Sequence, residues 1–195
     1  MTFDYTADLP VIEAYNARRS PQSPTRLHVG LGPAPFDGDP FAARVVLLMN
    51  NPGYAAATST PEDHRLHFDG WPIAGLHPAA PKAFRNWYRR PLGHLIDQHG
   101  EQKVSRSVAI VQINPWASAQ FDLGLVLPSR AYQFDLVRQA AERGAVIVIG
   151  RSVSTWADVA PQAHLAKWVR NPRLSPNGLA PAGWAAVNAA MAATN

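Results

Sequence analysis

The sequence predicts an α/β fold, a parallel sheet of four strands with helices on both faces, and three observations carry that prediction. Nearly continuous aliphatic and β-branched runs recur at residues 44–49, 107–113 and 145–149, with a weaker one at 164–169, as buried strands require. Helical spacing fills the intervals between them. Strands that alternate with helices form right-handed βαβ units and a doubly wound sheet.

In chain order, Val11, Ile12 and Tyr15 give residues 9–19 helical spacing, and the Pro-rich stretch 20–40 reads as an irregular arm. The first strand, 44–49, follows it. Residues 81–88 and 91–99 read as two helices parted at Pro91, because an internal proline lacks the N–H that the helix needs. The second strand, 107–113, leads to a helix at 131–143, with Ser129 as its N-cap and Gly144 just past its end. Strands at 145–149 and 164–169 precede an Ala-rich helix over 181–193, whose Trp184, Val187 and Met191 form a core-facing stripe. No repeat divides the chain, and 195 residues suit one domain, with 1–40 as its N-terminal helix and arm.

Composition removes several kinds of chemistry. Without cysteine there are no disulfides, thiolate zinc sites, catalytic thiols or iron–sulfur clusters, and the chain suits a reducing cytoplasm. Residues 1–8 carry acidic and polar residues in place of the basic stretch and apolar run of an export signal, and nowhere do 18 consecutive apolar residues occur. A soluble cytoplasmic protein with no membrane partner is expected, and a monomer. The 18 Lys and Arg against 14 Asp and Glu, with a pI near 9.8, suit a polyanionic partner without identifying one.

In open parallel sheets ligands bind beyond the carboxyl ends of the strands. Here the first strand runs into Asn50-Asn51-Pro52-Gly53-Tyr54, the second into Asn114-Pro115-Trp116, and the fourth into Asn171-Pro172-Arg173-Leu174-Ser175-Pro176-Asn177. One Asn-Pro step is ordinarily a turn, since Asn bonds its own backbone and Pro presets φ. Three at one sheet edge point to a site.

These motifs resemble those of the uracil-DNA glycosylase superfamily, in order, over residues 44–179. Asn51-Pro52-Gly53 is similar to the first catalytic motif of its mismatch-specific and single-strand-selective branches, which replaces the Asp-Pro-Tyr of other members. Asn114 resembles the base-reading asparagine, and Asn171 to Pro176 the second motif, except that Arg173 stands where Ser is usual. The resemblance implies a three-layer fold with strand order 2-1-3-4. It also implies a DNA glycosylase of repair or phage defence that flips a damaged or 5-modified pyrimidine and hydrolyses its N-glycosidic bond.

The residue types suit that chemistry, which passes through an oxocarbenium-like sugar with charge growing on the departing base. No metal or cofactor is required. Asn51 can orient a water, although as an amide it is a weaker aid than a carboxylate. Asn171 can donate toward the base oxygen, and Asn114 offers a donor and an acceptor to a pyrimidine edge. Gly53 leaves room at C5 where Asp-Pro-Tyr members resemble one another in placing a tyrosine. Asn50, Pro52 and Tyr54 flank the base site, and Phe68 and Trp71 are candidates to stack on the base. Arg170, Arg173, Leu174, Ser175 and Asn177 form the DNA-binding loop, with Arg85, Arg89 and Arg90 as further phosphate contacts.

Rival readings start from other residues. A non-catalytic nucleic-acid or nucleobase-binding module of the same fold is the main alternative, because Asn replaces Asp. Glu62, Asp63, His64, His67 and Asp69 supply metal-ligand types over a short span but lack a second cluster. The loop after the first strand lacks the glycine spacing of a dinucleotide site, and Ser152 lacks a nucleophile elbow and reads as an N-cap.

Overall fold

The computed structural model describes residues 4–57, 59–167 and 172–193. Its sheet has five strands, β1 (Phe36–Asp37), β2 (Val45–Met49), β3 (Val108–Gln112), β4 (Val146–Ile149) and β5 (His164–Leu165), in the order β1-β3-β2-β4-β5. The last four pair in parallel, and β1 joins antiparallel at the β3 edge. The four parallel strands therefore run in the predicted order 2-1-3-4. The expected all-parallel four-stranded sheet is corrected to a mixed five-stranded one, because the Pro-rich arm contributes the edge strand. A two-residue strand lies below what periodicity can detect. The chain can turn away after β1 because Gly38 takes φ 86° and any Cβ there would meet the Val108 carbonyl at 2.5 Å.

Alternation along the strands divides the core. Val45, Leu47 and Met49 of β2, with Val108 and Ile110 of β3, face α2 (Lys82–His99), α3 (Glu101–Ser107) and α6 (Pro181–Ala192). Val46, Leu48, Val111 and Ile147 face α4 (Arg130–Glu142) and α5 (Val153–Ala157). With both faces covered, every residue of β2 and β3 is buried, which is why these strands read as unbroken apolar runs. A third cluster packs Ile12 and Tyr15 of α1 (Leu9–Ala17) against Trp116, Leu125 and Leu127. Asp8, fully buried, ties this arm down by accepting from the Trp116 indole and the Ser129 amide.

Four local expectations change. The two helices parted at Pro91 are one 18-residue helix, since Leu92, Leu95 and Ile96 beyond the proline are buried against the sheet. That burial outweighs a proline cost of about 3 kcal/mol. Ser129 and Ser152 occupy N-cap positions, but neither side chain caps its helix. Gly144 does end its helix, at φ 88°. The fourth parallel strand spans only His164–Leu165, and Trp168 and Val169 lie outside the described residues. Among the described residues no helix is long and apolar enough to cross a membrane.

Candidate functional site

The chain leaving β2 stays paired with the chain leaving β3. Asn114 N–H donates to Asn50 O, Ser118 N–H to Pro52 O, and Tyr54 N–H to Ser118 O. This holds Asn51 beside Ser118, and the Asn51 amide nitrogen donates to Pro52 O, Ser118 O and Ser118 Oγ at 2.8, 3.1 and 2.9 Å. Ser118 Oγ donates in turn to Gln120 O. Two carbonyls and a hydroxyl already committed as a donor leave the amide one orientation. Its carbonyl oxygen has no partner among the described residues, so Asn51 presents an acceptor suited to holding a water.

A cavity of about 320 Å³ opens beside this loop. That is within the usual range for small-molecule sites, about 300–1,000 Å³. Pro52, Gly53 and Tyr54 line one side, and Phe84, Trp87 and Tyr88 of α2 another. Nothing lies within 4 Å of a Cβ built on Gly53, and its φ is not positive, so the predicted open space beside Gly53 exists. Tyr54 stacks on His28 with ring centroids 3.4 Å apart.

Sequence reasoning missed the polar wall of this cavity, Asp37 and Gln112. Asp37 closes β1 and accepts from the Tyr88 hydroxyl at 2.8 Å. Burial raises its carboxyl to about 6, against the lowering effect of that hydrogen bond. Tyr88, pushed well above its ordinary 10 by burial and then by the Asp37 charge, stays a protonated donor. Gln112 closes β3 at 1% exposure, and its Oε1 is buried without a partner among the described residues. The signal for Gln112 was available, a lone amide inside an aliphatic strand. For Asp37 there was none, because only the edge pairing brings the arm to the sheet. Ser59, Asp63 and His64 add to the polar lining, with His64 held below its ordinary value first by burial.

Other predicted residues are placed differently. Asn114 is 4% exposed and spends its side-chain oxygen on Trp116 N–H at 2.9 Å, in an Asx turn, and it does not line the cavity. Asn50 accepts from Ser152 Oγ, joining β2 to the start of α5. Phe68 stacks on His77 at 4.0 Å and Trp71 meets the same ring edge-on, and neither ring borders the cavity. Arg170 and Asn171 lie outside the described residues. Among the described residues no three His, Asp or Glu side chains converge as a metal site.

A second groove, about 890 Å³, runs between α2 and residues 173–178. Arg89, Arg90, Lys167 and Arg173 line it, against the single carboxylate of Asp97 among the described residues. Ser175 and Asn177 also line it, and Ser175 Oγ accepts from Gly178 N–H. Leu174, expected to contact DNA, is instead fully buried in the core, and its N–H donates to Pro91 O at 2.9 Å. It anchors the loop to α2. Arg85 and Arg89 are paired with Glu101, at 3.1 and 3.5 Å, and Arg89 also with Asp97.

No protein-family model, curated protein or solved structure matches the chain.

Proposed function

We propose that this protein is a DNA glycosylase of the uracil-DNA glycosylase type, which hydrolyses the N-glycosidic bond of a flipped base held in the cavity beside the Asn-Pro-Gly loop. The observation that carries the reading is Asn51. It follows a central parallel strand, its amide is locked by Ser118, its carbonyl oxygen has no partner among the described residues, and although Asn51 does not itself line the base-sized cavity, the next two residues, Pro52 and Gly53, do. Strand order 2-1-3-4 among the parallel strands and a basic groove across α2 agree with it.

In this mechanism the oxygen of Asn51 accepts a hydrogen bond from the attacking water. The water oxygen bonds to C1′ as the bond to the base nitrogen breaks, the base leaves with the electron pair, and the surplus water proton neutralises it. The aromatic walls exclude bulk water, and the groove holds the flanking phosphates by charge.

The test is alkaline cleavage of oligonucleotides carrying single modified pyrimidines after incubation with the protein. Wild type should generate abasic sites, and Asn51→Ala should lower the rate by roughly 100-fold or more. Melting curves and DNA binding should change little. Wild type that binds such DNA and releases no base would convert the reading to a non-catalytic binding module, and alanine at full turnover would remove Asn51 from the mechanism.

A further inference from the structure

We infer that the cavity beside the Asn-Pro-Gly loop selects a base bearing an exocyclic amine, of the cytosine type, over the dioxo bases uracil and thymine, with Asp37 and Gln112 as the acceptors that read it. The inference rests on the reading of this cavity as a base site and names its substrate class.

The pairing register places the two acceptors. Asp37 lies opposite Ile110 across the β1–β3 ladder, and Gln112 is two residues farther along β3. Residues so related share one face of the sheet, diagonally, with roughly 7–8 Å between them. Both line the cavity. One carboxyl oxygen of Asp37 takes the Tyr88 hydroxyl, and the other has no hydrogen-bond partner among the described residues. Gln112 Oε1 is buried with none, and because no hydrogen bond among the described residues fixes that amide, it can turn its oxygen to the cavity.

A ligand that leaves the part-buried Asp37 oxygen and the buried Gln112 oxygen unpaired loses affinity, whereas one that supplies N–H groups recovers it. The rest of the lining favours the same partner. Asp63 adds a second carboxylate, no Lys or Arg borders the cavity among the described residues, and burial disfavours the charged form of His64. The C4 carbonyl of uracil or thymine would confront oxygen lone pairs and negative charge. The C4 amine of cytosine carries two hydrogens, and Gly53 leaves open space for a 5-substituent.

Two nucleosides that differ only at this edge test the idea. 5-Methyl-2′-deoxycytidine and thymidine are titrated into the full chain and followed by tryptophan fluorescence, since Trp87 lines the cavity. Wild type should prefer the aminated nucleoside by roughly 10- to 100-fold, the value of a hydrogen bond to a charged group. Asp37→Asn, which keeps the shape and an acceptor for Tyr88, should bring the ratio near one, with thermal melting as the control for fold. Equal or tighter binding of thymidine, an unchanged ratio in Asp37→Asn, or binding of neither nucleoside would overturn the inference. Excision assays separate it from the reading beneath. If no oligonucleotide is cut while the nucleoside ratio holds, the enzymatic reading fails and the base-reading assignment stands. If dioxo bases alone are excised and the ratio is reversed, the glycosylase reading stands and this inference falls.

Discussion

Replacing Asp37 with asparagine should stabilise the protein at neutral pH, by an amount that the carboxyl's environment sets. Burial raises its pKa from an ordinary 3.8 to about 6. At about 1.4 kcal/mol for each tenfold change in proton affinity, ionised Asp37 costs the fold about 3 kcal/mol. The sign follows from proton linkage. Below about pH 4 the carboxyl is protonated in folded and unfolded chains alike, and the substitution should matter little. Between about pH 4 and 6 the unfolded chain ionises first, so wild-type stability falls as pH rises. Above that window both states are ionised and the full cost remains. Asparagine has no such dependence and still accepts from Tyr88. Urea unfolding of the two proteins at pH 4.5 and pH 8 measures the difference directly. It should be about 1 kcal/mol at the lower pH and approach 3 kcal/mol at the higher, within about a factor of two. A gap that is constant with pH, or a variant less stable at pH 8, would refute the buried-carboxyl argument. Confirmation would mark Asp37 as a group retained at a cost to the fold, as functional residues often are.

Three further outcomes are expected. Gly53→Tyr fills open space without backbone strain, so it should leave melting unchanged and raise the preference for an unsubstituted over a 5-substituted base by roughly 10- to 200-fold in excision or binding assays. Arg90→Ala and Arg173→Ala should each weaken DNA binding regardless of sequence and lower the slope of log affinity against log salt by about 1, read by fluorescence anisotropy over a salt series. Gly75→Ala would set a Cβ 2.0 Å from the Tyr88 ring, which must then move off Asp37, and should cost about 1–3 kcal/mol by urea unfolding.

Much of the fold was legible because a strand buried on both faces leaves a plain mark. Val45–Met49, Val108–Gln112 and Val146–Ile149 fall within one residue of the runs that predicted them. Phe36–Asp37 was not legible, since its pairing is decided by contact with Val111 and Ile110 and not by its own pattern. Pro91 misled for a related reason, because proline's local penalty is visible in sequence and the packing of Leu92, Leu95 and Ile96 that overrides it is not. At the site, the Asn-Pro-Gly loop and the open space at Gly53 were readable. The wall opposite was not, because Asp37 becomes a cavity residue only once the arm is folded onto the sheet.

Helix α2 borders both the cavity and the basic groove, yet it offers each a different stripe. Phe84, Trp87 and Tyr88 face the cavity, and Arg89, Arg90 and His94 face the groove, with no residue common to the two linings. Substitutions can therefore accumulate on one stripe while the other is held constant. Under the reading proposed above, a lineage of such proteins could change the base it removes without relearning how to grip DNA, or retune its grip without altering its choice of base. An 18-residue rod keeps the two surfaces at a fixed offset while each diverges.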